Sequence, residues 1–161
     1  MTKYIIKLVT ANILALALLF TPISMAALAS HHHSSEKTEK AKDYGIRVDT
    51  KKNKVYVYKK VDGEWVLKDK MKCCTGKDST PTPKGKHKTS KKEKSFVFEG
   101  KNYNYVTYFS GNCAFHSTPE SNGKYSNRSL GKNESHGCVR LDPEDAKKIQ
   151  SLPKGTTVIV E

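Results

Sequence analysis

Long apolar runs are scarce in this chain of 161 residues, and the one of any length, residues 8–20, sits close to the N-terminus. It is shorter than the roughly twenty apolar residues a membrane span needs, and Thr21, Pro22 and Ser24 break the apolar character directly after it. Lys3 and Lys7 precede it, and an A-x-A site ends at Ala29. This is the pattern of a secretory signal peptide over residues 1–29, with an uncleaved anchor as the alternative. No cysteine follows the cleavage site, which disfavours a lipid-anchored product.

Acidic residues are also few: 16 Asp and Glu stand against 29 Lys and Arg, for a formal charge of +13. Removing Lys3 and Lys7 lowers that by only two. A secreted chain this basic is expected to concentrate on anionic surfaces such as wall polymers, membrane head groups or extracellular nucleic acid. Its lysines are dispersed, so a basic surface that merely keeps the protein soluble fits as well. Internal repeats are absent, and so are the paired spacings C-x-x-C and H-x-x-x-H of common zinc sites.

What is present is strand-like. Residues 30–42 are polar and read as a flexible linker, in which His31, His32 and His33 have no spaced partner. From Tyr44 onward, "YGIRVDT" and "KVYVYKK" alternate apolar and polar positions, and Asp62-Gly63 marks a hairpin turn before "EWVLKDKMKCCTG". Residues 77–94 are expected to be an irregular loop because of Pro81, Pro83 and Gly85. "SFVFEG" and "YNYVTYFSGNCAFHS" return to strand composition, and residues 118–134 read as a second polar loop. Asp142-Pro143, with Asp145 after it, predicts a helix start, and Pro153 its end. "TTVIV" closes the chain as a strand. The expectation is a mainly β fold with one short late helix.

The chain has four cysteines: Cys73, Cys74, Cys113 and Cys138. An even count in a secreted protein suggests disulfides, but Cys73 and Cys74 are adjacent and would face opposite sides of a strand. Cys138 sits in "SHGCVRL". A cysteine acyl-transfer enzyme needs a thiolate, a base to generate it, and N–H donors for the developing oxyanion. Gly137 allows close backbone approach, the Gly137 and Cys138 amides are natural donors, and Arg140 adds positive charge. His136 is too close to Cys138 in sequence to be assumed its base, since side chains so near along the chain usually diverge. His116, at the end of "NCAFHS", is the better base. A metal reading would group His116, His136 and Cys138 with His87. On residue chemistry alone, a catalytic and a structural Cys138 both stay open.

The pattern His116-Ser117-Thr118, sixteen residues, then Ser135-His136-Gly137-Cys138, resembles the signature of the L,D-transpeptidase (YkuD-like) catalytic domain family. "TGKDSTPTPKG" resembles that family's T-G…T-P-x-G loop, and "LGKNESHGCVRL" its approach to the cysteine. The resemblance implies a catalytic domain over residues 43–161 with a curved mixed sheet. It implies Cys138 as nucleophile, His116 as general base, Ser117 orienting it, His136 and Gly137 shaping the oxyanion pocket, and Arg140 at a substrate-binding position.

It further implies a peptidoglycan transferase that forms 3→3 cross-links through a thioester with loss of D-Ala. Acylation by carbapenems is implied as well, with no cofactor and no metal. Partners would be tetrapeptide stems, with weak attraction to anionic wall polymers, no nucleic acid, and a monomer at the wall or in the periplasm. An L,D-carboxypeptidase, or an idle wall-binding module, are the alternatives. Cys113 is expected to pair with Cys73 or Cys74, or else all three stay reduced in the core. Tyr103, Tyr105 and Tyr108 could contact substrate or simply pack.

Overall fold

The computed structural model describes residues 40–161. The leader expected over residues 1–29 and most of the expected linker, including His31–His33, lie outside the described residues. Of the linker's end, Ala41–Asp43 forms a single 3-10 turn.

Strands come in close succession. They are β1 (Tyr44–Asp49), β2 (Lys54–Val61), β3 (Glu64–Gly76), β4 (Gly85–Lys88), β5 (Lys92–Phe98), β6 (Lys101–Ser110) and β7 (Cys113–Ser117). Then come β8 (Glu120–Ser121), β9 (Lys124–Tyr125), β10 (Asn133–Ser135), β11 (Val139–Leu141), helix α1 (Pro143–Ser151) and β12 (Thr157–Val160). They join in one sheet of order β4-β12-β1-β2-β3-β11-β7-β6-β8-β9, with β10 added to β3 and β5 to β6. Parallel pairs β1/β12, β10/β3 and β11/β7 sit among antiparallel ones, so the sheet is mixed. Among the described residues the fold is mainly β with one α-helix.

The alternation read from sequence places the core. Val48, Val55, Phe115, Val139, Leu141 and Val158 are fully buried, and Ala146 and Ile149 of α1 pack on them. Each such large side chain stabilises the fold by about 1.5–3 kcal/mol. Asp62 and Gly63 both take positive φ, 50° and 90°, as a two-residue hairpin turn requires. Helix α1 begins where expected. Pro143 occupies its first turn and the Asp142 carboxylate accepts from Glu144 N at 3.1 Å, rather than working through Asp145.

Both polar loops hold more structure than their composition suggested. Residues 77–94 contain β4 and the start of β5. The strand β4, "GKHK", lies at the sheet edge and pairs only β12, so it needs backbone hydrogen bonds on one side and no apolar alternation. Its lysines suit an edge that must not recruit a second sheet. Within residues 118–134, Asn122 and Gly123 (φ 50° and 74°) turn the short β8/β9 hairpin. An Asn-Gly pair signals such a turn even between strands too short to show a period.

The expected disulfide does not form: all four cysteines are free thiols. Strand order gives the reason. In the sheet β11 lies between β3 and β7, so Cys73 and Cys74 stand two strands from Cys113. Two spacings amount to about 9.5 Å, beyond the roughly 7 Å a disulfide tolerates between Cα atoms. Register adds to the separation, because Cys74 and Cys73 align through Arg140 and Leu141 with His116 and Ser117, not with Cys113.

Candidate active site

The parallel pairing of β11 with β7 sets Val139 beside Phe115 and Arg140 beside His116. Residues two apart on a strand share a face. One step before β11, Cys138 is therefore level with Ala114 and on the same side as His116. Both side chains open on one cleft of about 400 Å³, walled by Phe96, Phe98, Tyr103 and Tyr108.

His116 is buried to 2 % exposure. Its Nδ1 donates to the Ser117 carbonyl oxygen at 2.8 Å, which leaves Nε2 as the lone-pair nitrogen. Phe96 and Tyr103 meet its ring edge-on, with centroids 5.2 and 5.0 Å away. Burial pushes its pKa down to about 4, and the nearby Arg140 charge pushes the same way against the Ser117 bond. The imidazole is neutral at physiological pH.

The Ser117 hydroxyl does not touch the histidine. It donates to the Thr118 carbonyl at 2.8 Å and accepts from Asn104 N at 2.8 Å, fastening β7 to β6. Ser117 orients His116 through its main chain alone.

Burial raises the Cys138 thiol above its ordinary pKa, as does neighbouring Cys113, while the Ala114 amide and Arg140 lower it. The thiol donates to the Asn112 carbonyl at 3.8 Å. Burial thus disfavours the charged form of both side chains in the cleft.

The turn before Cys138 is braced from two sides. Gly137 has φ 105°, and a Cβ there would lie 2.9 Å from Cys113 Sγ. Its N–H donates to Ser135 Oγ at 3.1 Å, and Ser135 Oγ in turn donates to the Cys138 carbonyl at 2.6 Å. The Gly137 amide is thus engaged inside the turn rather than open to an oxyanion as expected. Behind it, Lys77 N (3.0 Å) and Thr80 Oγ1 (3.2 Å) both donate to the Ser135 carbonyl. Gly76 N donates to Thr82 Oγ1 at 2.9 Å, and a Cβ on Gly76 would sit 2.3 Å from the Thr80 carbonyl oxygen. The T-G…T-P loop is a clamp on the S-H-G-C turn.

His136 is exposed at the cleft mouth, its ring 6.0 Å from that of Phe98. Arg140 lies with Cζ 5.6 Å from the Tyr103 ring centre, and its Nε is buried without a hydrogen-bond partner. Such a guanidinium suits a bound carboxylate.

Of the three tyrosines, Tyr103 and Tyr108 line the cleft, whereas Tyr105 packs against the core. Five positions apart, the first two would face opposite sides of a regular strand; φ of 58° at Tyr105 breaks the alternation. Phe96, Phe98, Asn112 and Ala114 were not singled out from sequence, although Phe96 and Phe98 carried the signal of an aromatic pair on one face. Among the described residues no three His, Cys, Asp or Glu side chains converge as a metal site. His87 instead donates Nε2–H to the Pro83 carbonyl at 3.0 Å and packs edge-on to Phe109.

Fold and cleft define a class: a mixed-sheet β domain with a histidine on one strand and a cysteine immediately before the neighbouring parallel strand. The chain belongs to the YkuD family of L,D-transpeptidase catalytic domains, whose family model matches residues 43–160. Among solved structures it resembles a fused Zn-dependent amidase/peptidase/peptidoglycan-binding domain-containing protein from Clostridium acetobutylicum. That match has 31 % identity over 74 % of this chain and 52 % of that one, with a TM-score of 0.62. It also resembles an L,D-transpeptidase from Mycobacterium smegmatis (27 %, covering 74 % and 58 %, TM-score 0.59). A third is an L,D-transpeptidase from Stackebrandtia nassauensis (25 %, covering 81 % and 61 %, TM-score 0.59). The chain spans between half and three-fifths of the length of these proteins. No significant match is found among curated proteins.

Proposed function

We propose that this protein is a peptidoglycan L,D-transpeptidase that works through a Cys138 thioester. The observation that carries this reading is the shared cleft of His116 and Cys138, with the Nδ1–Ser117 bond leaving Nε2 to act as base.

His116 Nε2 takes the thiol proton as Cys138 Sγ attacks the carbonyl of the third residue of a tetrapeptide stem. The C–N bond to D-Ala breaks, and the departing amine takes the proton from His116. A second stem's side-chain amine then attacks the thioester, its proton passes to His116 and on to the departing Cys138 sulfur, and the free thiol is restored with a 3→3 cross-link formed. Water in place of the amine would give the carboxypeptidase outcome. Arg140, with its unpartnered buried Nε, holds a stem carboxylate. The leader-like N-terminus directs export to the wall, where the enzyme works as a monomer, and its basic charge adds weak attraction to anionic wall polymers.

The test is incubation with disaccharide-tetrapeptide and, separately, with a carbapenem, followed by intact masses. Expected are covalent adducts on Cys138, released D-Ala and a dimeric 3→3 product. Adducts and D-Ala release that persist in Cys138→Ala, or are missing from the unaltered protein, would overturn the mechanism.

A further inference from the structure

A second groove, of about 550 Å³, lies on the outer face of β12, β1 and β2 and shares no lining residue with the catalytic cleft. Its walls are flat rings and aliphatic surface from Trp65, Tyr58 and Ile159, and three cations, Lys42, Arg47 and Lys86, line it. Among the described residues no acidic side chain lines it, and of the three cations Arg47 alone is paired, to the Glu161 carboxylate. Trp65 and Ile159 are 52 % and 37 % exposed.

The groove is built by the sheet. On β1 and β12 the core takes Ile46, Val48, Val158 and Val160, so alternation turns Gly45, Arg47 and Ile159 outward. Gly45 leaves room for the Trp65 ring, which an added Cβ would already touch at 3.7 Å. Arg47 is held in place by the Glu161 carboxylate (2.6 Å) and by the Tyr56 ring, 4.3 Å from its Cζ. Lys60 Nζ lies 6.0 Å from the Trp65 ring centre and adds a further cation at the rim.

We propose that this groove binds an anionic glycan strand. Ring faces and Ile159 suit the C–H faces of pyranoses, and the Lys42–Arg47–Lys86 set complements carboxylates carried along the chain. A polyol phosphate would use the cations and leave the rings without a role. A neutral glycan would use the rings and leave the cations without one. Resting on the peptidoglycan reading above, the strand is a stem-free stretch of the polymer whose stems enter the cleft, where loss of the stem amide leaves the lactyl carboxylates free. The groove holds the backbone while the cleft works on a peptide, so the enzyme stays on its polymer between turnovers.

Trp65 is the only tryptophan of the chain, so its emission reports on the groove. The probe is peptidoglycan glycan strands stripped of their stems, which expose lactyl carboxylates and offer the catalytic cleft no peptide. They are titrated into the full-length Cys138→Ala protein, alongside chitooligosaccharides, poly(glycerol phosphate) and duplex DNA. Expected is a saturable change in Trp65 emission with glycan strands, at least tenfold weaker with the other three. Arg47→Gln combined with Lys86→Gln should weaken the response at least tenfold while the tryptophan stays in place.

An unchanged Trp65 emission with glycan strands overturns the proposal, as does equal or tighter binding of chitooligosaccharides, poly(glycerol phosphate) or DNA. D-Ala release from a soluble disaccharide-tetrapeptide by Trp65→Ala is expected to match that of the unaltered protein. Where D-Ala is released but Trp65 does not respond, this inference alone falls. Where D-Ala is not released, the functional reading falls first.

Discussion

His116 and Ser117 are joined by a 2.8 Å hydrogen bond that runs from imidazole Nδ1 to a main-chain carbonyl, while the serine hydroxyl points to Thr118 and Asn104. The serine's side chain therefore belongs to the fold, and its backbone to the site. Ser117→Ala should leave the Asn104 N–H unsatisfied and destabilise the protein by about 1–3 kcal/mol. The histidine's orientation should survive, so kcat for D-Ala release is expected to fall by less than tenfold while Tm drops. A loss of kcat of a hundredfold or more at full folding would show that the hydroxyl acts on His116 directly.

Burial of a neutral His116 has a consequence for stability. Its folded pKa of about 4 lies below the ordinary 6.5, so the unfolded chain binds the proton first as pH falls. The contribution is complete above about pH 6.5 and is lost progressively as pH falls to about 4, in all about 3 kcal/mol. Denaturant midpoints measured over that window should fall steeply for the unaltered protein and less so for His116→Gln. For the same reason the acid limb of kcat/KM should lie near pH 4. A limb near 6.5 would place the histidine in water.

The Cys138 thiol is held above its ordinary value chiefly by burial. Alkylation of the free protein by iodoacetamide at Cys138 should therefore be slow at pH 7 and accelerate only above about pH 9. Rapid labelling at neutral pH, saturating below about pH 8, would mean a preformed thiolate and a different resting state for the pair.

Gly137 carries two constraints at once, a φ of 105° and a 2.9 Å approach to Cys113 Sγ by any Cβ. Gly137→Ala should cost on the order of 1–3 kcal/mol and displace Cys138. Adding Cys113→Gly should recover only the part due to the contact, because the backbone conformation stays unfavourable. Thermal melts of the single and double variants measure both parts, and full recovery would assign everything to the sulfur.

Free-thiol titration of the denatured protein should find four thiols. Two would indicate a disulfide that the strand order does not allow without moving β11.

Much of the fold was legible because it arises from local pattern. Alternation marked β1 and β2, "TTVIV" the closing strand, Asp62-Gly63 the first hairpin, and Asp142-Pro143 the helix start. The edge strand β4 was not legible, since a strand paired on one side can be built from lysine and histidine. The β8/β9 hairpin carried its Asn122-Gly123 signal between strands of two residues, too short for any period.

The sequence by itself determined which residues are available for the proposed chemistry: a cysteine after a glycine, a histidine far upstream, and the residue types around each. Only the tertiary structure decided how they are used. Parallel pairing of β11 with β7 brings Cys138 and His116 to one cleft from distant positions in the chain. The strand between β3 and β7 keeps Cys113 from its expected partners. Hydrogen bonds that no spacing encodes turn the Ser117 hydroxyl and the Gly137 amide away from the roles their positions suggested. Each of these depends on which strands lie side by side, and adjacency is set by how the whole sheet buries its core.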